Sequence, residues 1–249
     1  MEKRVLIALI LLGFLLFYIS DSDQHETREA NVTRVIDGDT VVLGSGERVR
    51  LMGIDTTEIG EECSEEATWW LTDKINGSEI EMEVMGEDIY DRTLAYIFKG
   101  DLHISKELVE EGLAYTYYFD PDERYIEELV ETERRAIEEN RGCLWSKTVK
   151  DSEDVLHACD TEDHISEVSL VKGVVEEVNY GDGITYLNFE DEYPNNCFTA
   201  IVWDSYRDRF PEGKEIYEDR RIVVEGLVTE YQGDPQVEIR DPAQIETLN

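Results

Sequence analysis

The sequence predicts a mainly β chain with interspersed helices, laid out in two parts, and three observations carry that prediction. In the first half, apolar residues alternate with acidic ones, as in Ile80, Met82 and Val84 against Glu79, Glu81 and Glu83, which reads as strands with one wet face. Between these runs, stretches near Ser64 to Ile75, Ser105 to Glu111 and Pro121 to Ile137 carry helical patterning and stop signals. In the second half, VKGVVEEV, ITYLNF, CFTAIVW, RIVVEGLV and PQVEI read as five short strands, with turns at Gly181-Asp182-Gly183 and Gly233-Asp234. A helical stretch, Asp204 to Phe210, falls after the third, and that order describes a five-stranded OB barrel. A chain of 249 residues has room for two such modest domains.

The chemistry concentrates between Val35 and Glu58, VIDGDTVVLGSGERVRLMGIDTTE. Val41, Val42 and Leu43, then Val49, Leu51 and Ile54, flank Gly44-Ser45-Gly46, a hairpin pattern. Asp39 enters one strand and Asp55 leaves the other, so antiparallel pairing would bring the two carboxylates together at one end. Clustered carboxylates repel one another, and a shared cation relieves that repulsion. Oxygen donors with no nearby His or Cys favour Ca²⁺ or Mg²⁺. Arg50, on the same hairpin, offers a planar fork suited to phosphate. Carboxylates, a cation and Arg together suit phosphodiester hydrolysis, with Glu58 free to orient or deprotonate water. A single acidic turn of this kind is common; the combination is far more specific.

The motifs DGDT at Asp37 to Thr40, RLMGIDTTE at Arg50 to Glu58 and YDRTLAYIF at Tyr90 to Phe98 resemble those of the staphylococcal nuclease (thermonuclease) family. Weaker matches follow in order at EGLAY, Glu111 to Tyr115, and RGCLWS, Arg141 to Ser146, so the resemblance spans about Ala30 to Lys147. It implies a five-stranded barrel with three helices. It further implies Ca²⁺ held by Asp39, Asp55 and the Thr56 carbonyl, Glu58 as the water-activating carboxylate, and Arg50 and Arg92 on the scissile phosphate. Tyr90, with Tyr117 or Tyr118, would stack on a substrate base. Thr57 stands where the family usually has Pro, Asp91 replaces its usual Gly, and Asp88 replaces a common Lys, which sets acid beside Arg92.

Downstream, Ser64 is placed to cap a helix whose apolar face is Ala67, Trp70, Leu71 and Ile75, and Gly77 ends it. Asp120, Pro121 and Glu123 form a capping box ahead of a helix carrying Ile126, Leu129, Val130 and Ile137, with Gly142 as its stop. The four His residues lie in no catalytic pattern.

Charge is the anomaly: 59 acidic against 23 basic residues give −36, a field that opposes a polyanionic substrate at low salt. Because the acid is spread along the whole chain, salt adaptation is the expectation, since a Debye length of about 3 Å near 1 M removes most of that repulsion. Lys3 and Arg4 followed by the apolar run Val5 to Ile19 read as a signal peptide or short membrane anchor, with a polar linker to Glu29. An extracellular or cell-surface location follows from that reading. Four Cys suit two disulfides in an exported protein, and three pairings are possible. The resemblance sets Cys63 near Cys143, leaving Cys159 with Cys197.

The parts are thus a leader and linker (1–29), a thermonuclease-like domain (30–148), a linker (149–166) with a helical turn around Val155, and an OB domain (167–249). In the last, Tyr186, Phe189, Phe198, Trp203 and Tyr231 offer stacking surfaces if they do not face the core. The expected activity is calcium-dependent cleavage of DNA and RNA, single strands favoured, with low sequence specificity. The alternative is a membrane-tethered double-OB module that binds nucleic acid without cutting it.

Overall fold

A computed structural model describes residues 26–118, 124–146, 155–210 and 215–248, so the leader and the Asp120 to Glu123 capping box lie outside the described residues. The first barrel uses β1 (Glu26–Val35), β2 (Thr40–Leu43), β3 (Arg48–Leu51), β5 (Glu79–Glu87) and β6 (Thr93–Lys99), and parallel pairing of β3 with β6 closes it. A two-residue strand, β4 (Ile54–Asp55), leaves the barrel and pairs with β8 (Tyr115–Thr116), while β7 (Leu102–His103) extends β6. Val41, Val49, Leu51, Ile80, Met82 and Ile97 fill the interior, as the alternation of their strands requires.

Four described helices accompany this barrel, one more than expected: α1 (Ser64–Ile75), α2 (Ile104–Glu110), α3 (Ile126–Glu138) and α4 (Gly142–Trp145). Ser64 does not cap α1; it is the first helical residue, and Cys63 precedes it in left-handed conformation. Nor does Gly142 stop α3, which ends at Glu138; it opens α4. The reason is a close approach: a Cβ on Gly142 would sit 2.1 Å from the Glu111 carbonyl oxygen, and one on Gly112 2.0 Å from that of Arg141. The EGLAY and RGCLWS segments therefore lie backbone on backbone, and the Cys63–Cys143 disulfide ties α1 to the same place.

The second barrel closes from β10 (Val168–Tyr180), β11 (Ile184–Phe189), β12 (Phe198–Trp203), β13 (Arg220–Tyr231) and β14 (Asp234–Glu238), with β10 paired to β13. The residues after the third barrel strand form a 3-10 turn, Asp204–Arg209. Val155 does not form a helical turn: β9 (Val155–His157) pairs parallel with β10, and β15 (Ile245–Thr247) pairs with β13 at the other edge. Phe189 and Phe198 are core, 5.3 Å apart edge to face, while Trp203 and Tyr231 are exposed. The second disulfide, Cys159–Cys197, ties the 3-10 turn after β9 to the residue before β12.

The barrels are docked through α3. Glu133, fully buried, accepts from the Thr116 amide at 2.9 Å and from Arg209 of the second barrel at 2.8 Å. Arg134 grips Asp241 through two nitrogens at 3.1 and 2.9 Å. The Val168 amide donates to Glu62 at 2.7 Å. Removing one partner of a buried pair leaves the other charge uncompensated, which costs about 3–5 kcal/mol. Arg209→Met is therefore expected to lower unfolding stability by that order in urea titrations, with part recovered when Glu133→Gln is added; an unchanged midpoint would show that the barrels stay docked without the pair.

His103 is buried among Tyr96, Phe98 and Tyr125, with centroids 5.5, 4.9 and 4.8 Å away. Burial pushes its imidazole down to about 4. Between pH 6.5 and 4 the unfolded chain takes up a proton that the folded chain refuses, so this residue's contribution is lost as pH falls, approaching about 3 kcal/mol. His103→Phe should flatten the fall in stability over that window relative to the parent; parallel profiles would contradict it.

Candidate active site

The hairpin β2–β3 places Arg50 opposite Thr40, and the turn before β2 presents Asp39 at the same end. Gly38 is required there, because a Cβ would meet the Thr56 hydroxyl and the Ala67 methyl, each at 2.8 Å. Asp39 is buried and accepts at 3.3 and 3.2 Å from the Thr56 amide and hydroxyl, and at 2.9 Å from the Thr40 hydroxyl. Asp55 does not end the second hairpin strand, which stops at Leu51; it lies on β4, whose pairing with β8 fixes it on the far side.

Arg50 spans the gap. Its Nε lies 3.1 Å from Asp39 and one terminal nitrogen 2.7 Å from Asp55; the other donates to the Leu51 and Ile54 carbonyls at 2.6 and 2.8 Å. The guanidinium is thus locked in plane and orientation by its own strand end while facing both carboxylates. Burial holds the Asp55 carboxyl above the ordinary carboxylate range against the opposing pull of Arg50 and Arg240. Asp37 is likewise raised by burial and then by Asp39. Glu58, on the exposed rim, is raised by partial burial and then by Asp55, Asp39 and Glu61, while its amide donates to Glu61 at 2.7 Å. A carboxylate raised by its neighbours is one whose charge the site crowds, and such shifts gather at functional sites.

Arg92 reaches the site from the entrance to β6, with its terminal nitrogen 3.5 Å from the Thr40 hydroxyl that also bonds Asp39. The acid at position 88 organises this loop: Asp88 accepts from the Tyr90 and Arg92 amides at 2.8 and 2.9 Å and holds the Arg92 Nε at 2.7 Å. Tyr90 is exposed at the rim, its ring 5.6 Å from the Arg92 guanidinium. Tyr117 is partly exposed beside Asp55, which adds to the burial that raises its phenol. Tyr118 is not brought to the site. It is buried, bonds the Ser205 carbonyl at 3.3 Å and packs on Tyr206 and Arg209, because two adjacent residues in an extended segment face opposite ways.

Residues of the second barrel that carry no motif complete the wall. A cleft of about 220 Å³ separates Asp55, Thr57 and Glu58 from Thr229, Gln236 and Arg240. Arg240 is buried, 4.0 Å over the Tyr115 ring and 2.9 Å from Glu238. The buried hydroxyls of Thr57 and Tyr115 have no hydrogen-bond partner among the described residues. The signal for Arg240 was absent from the sequence because its position depends on docking of the barrels.

Among the described residues, no three His, Cys, Asp or Glu side chains gather as a metal cage. Asp39, Asp55 and the Thr56 carbonyl are all oxygen donors in a crowded anionic setting. That donor set suits a hard cation which keeps water or substrate in the rest of its shell.

Residues 48–147 match the family model described as staphylococcal nuclease homologue. A thermonuclease of Staphylococcus intermedius is 33% identical over 129 residues, covering 47% of this chain and 75% of the relative. The chain belongs to the staphylococcal nuclease family. A thermonuclease of Staphylococcus hyicus is 30% identical over 128 residues, 46% of this chain and 74% of its own. An uncharacterized endonuclease of Haemophilus influenzae is 28% identical over 120 residues, 47% of this chain and 66% of its own. The staphylococcal nuclease region ends at residue 147, so the second barrel lies outside the family match.

Proposed function

We propose that the chain is a calcium-dependent nuclease that hydrolyses phosphodiester bonds of DNA and RNA, single strands favoured, with little sequence preference. The observation that carries this reading is Arg50 set between Asp39 and Asp55, with Glu58 alongside and Arg92 linked through Thr40. Asp39, Asp55 and the Thr56 carbonyl would hold the cation, which supplies a positive charge to draw electron density from the phosphoryl group. Arg50, oriented by two carbonyls, and Arg92, oriented by Asp88, face the charge that grows on the phosphoryl oxygens. Glu58, the exposed carboxylate among these acids, takes the proton of the attacking water or fixes its orientation. Tyr117, beside Asp55, and Tyr90, beside Arg92, are the aromatics available to a flanking base.

A non-catalytic double barrel is the second reading, and the retention of all five charged groups in one place favours the enzyme. With purified protein, a single-stranded oligonucleotide should be cut in Ca²⁺ and not in chelator, and cutting should hold or rise toward molar salt as the repulsion from −36 charges is screened. Glu58→Gln should lower turnover by at least roughly 100-fold without changing stability. Near-parental turnover in that variant would reject its role, and no cleavage by the parent in Ca²⁺ at any salt would reject the enzyme.

The leader lies outside the described residues, and among those described no helix is long and apolar enough to cross a membrane. Residues Lys3 to Ile19 and two disulfides support export, or retention at the cell surface through the leader. A C-terminal tag should fractionate outside the cytosol; a wholly cytosolic product would contradict this.

A further inference from the structure

We propose that the second barrel carries a binding site for unpaired nucleobases, a tyrosine-lined pocket that continues the interbarrel cleft by way of Gln236. The assignment of nucleic acid as the ligand rests on the phosphodiesterase reading above; the pocket itself does not. It has a volume of about 430 Å³ and is lined from β10, β11, β12 and the β13–β14 hairpin. Tyr180, Tyr186, Tyr193 and Tyr231 line it, and three of these rings stand largely in solvent, at 55% for Tyr180, 70% for Tyr193 and 62% for Tyr231. Large aromatics converging on one exposed concavity are a recognition surface, whereas scattered ones need no explanation.

The chemistry of the lining narrows the ligand. Asp234 is its only charged member among the described residues, so nothing there grips a phosphate. In a chain of 23 basic and 59 acidic residues, binding that does not depend on cations is the form that survives. Uncharged rings stack on the faces of bases, and the amides of Asn179, Gln232 and Gln236 offer both donors and acceptors to base edges. Duplex bases expose no faces, which restricts the ligand to unpaired ones.

Register ties the pocket to the cleft. Thr229 pairs with Gln236 and Tyr231 with Asp234, so Thr229 and Tyr231 lie on one face of β13, about 7 Å apart along the strand. Thr229 and Gln236 wall the cleft that holds Asp55 and Glu58, while Tyr231 and Gln236 wall the pocket. A strand seated at the carboxylates and leaving over the β13–β14 hairpin reaches the tyrosines next. This continuity favours nucleic acid over a neutral glycan, which also stacks on aromatic rings.

The test is fluorescence anisotropy on the full chain in chelator, where no cleavage is needed, with a labelled ten-residue oligothymidylate and an abasic oligonucleotide of equal length. The oligothymidylate should bind at least tenfold more tightly than the abasic strand, and that ratio should hold at molar salt. Tyr231→Ala should weaken oligothymidylate binding roughly 5- to 100-fold, leave the abasic strand unaffected and keep the parental circular dichroism. Tyr231→Phe, which retains the ring, should keep most of the affinity. Equal affinity for the two strands, no measurable binding, an unchanged Tyr231→Ala, or displacement of the oligonucleotide by maltoheptaose would overturn the proposal. Intact binding by a chain that never cleaves in Ca²⁺ would instead sink the nuclease reading and leave this one standing.

Discussion

The site depends on Arg50 being held flat between two carboxylates, Asp39 from the turn before its own hairpin and Asp55 from β4. Two carbonyls fix its second terminal nitrogen, so the side chain loses its rotational freedom in folding and none is left to lose on binding. Without that guanidinium, Asp39 and Asp55 would face one another across a gap whose neighbours, Asp37 and Glu58, already sit above their ordinary titration range. The arrangement leaves the cluster short of positive charge, and that shortage is what a divalent cation would balance. Asp88 supplies the matching constraint on Arg92: it accepts from the Arg92 amide and Nε and so builds that loop.

A second constraint comes from outside the family match. Glu133 and Arg209, both buried, fasten the second barrel against α3, and this docking brings Arg240 and Gln236 up to Asp55 and Glu58. The cleft is a product of both barrels, with one wall set by Thr229, Gln236 and Arg240 of the second. This also explains the fate of Tyr118, which seals the joint while its neighbour Tyr117 stays at the site.

Much of this was legible in the sequence, and the reasons are local. The barrel strands announce themselves because alternation of period two survives any tertiary context that wets one face, as in Ile80, Met82 and Val84. Asp39 and Arg50 could be placed together because a hairpin with a short turn leaves one geometry, whereas Asp55 is fixed by the pairing of β4 with the distant β8. What failed was set by contacts distant in sequence. Ser64 reads as a cap, yet the Cys63 disulfide and the Glu61 turn start the helix there. Gly142 reads as a stop, yet it is small because Glu111 passes over it. Val155 reads as a helical turn, yet an open edge of β10 recruits it into a strand. Arg240 carries no motif at all, since its value comes from where docking puts it.

Under the proposed nuclease function, these charged groups act as one unit on one phosphodiester. A double-mutant cycle on kcat/KM, combining Arg50→Gln with Glu58→Gln, measures that directly. If the groups share one reacting centre, the double variant should lose little more than the worse single variant. Losses that multiply, as for two independent sites, would contradict it.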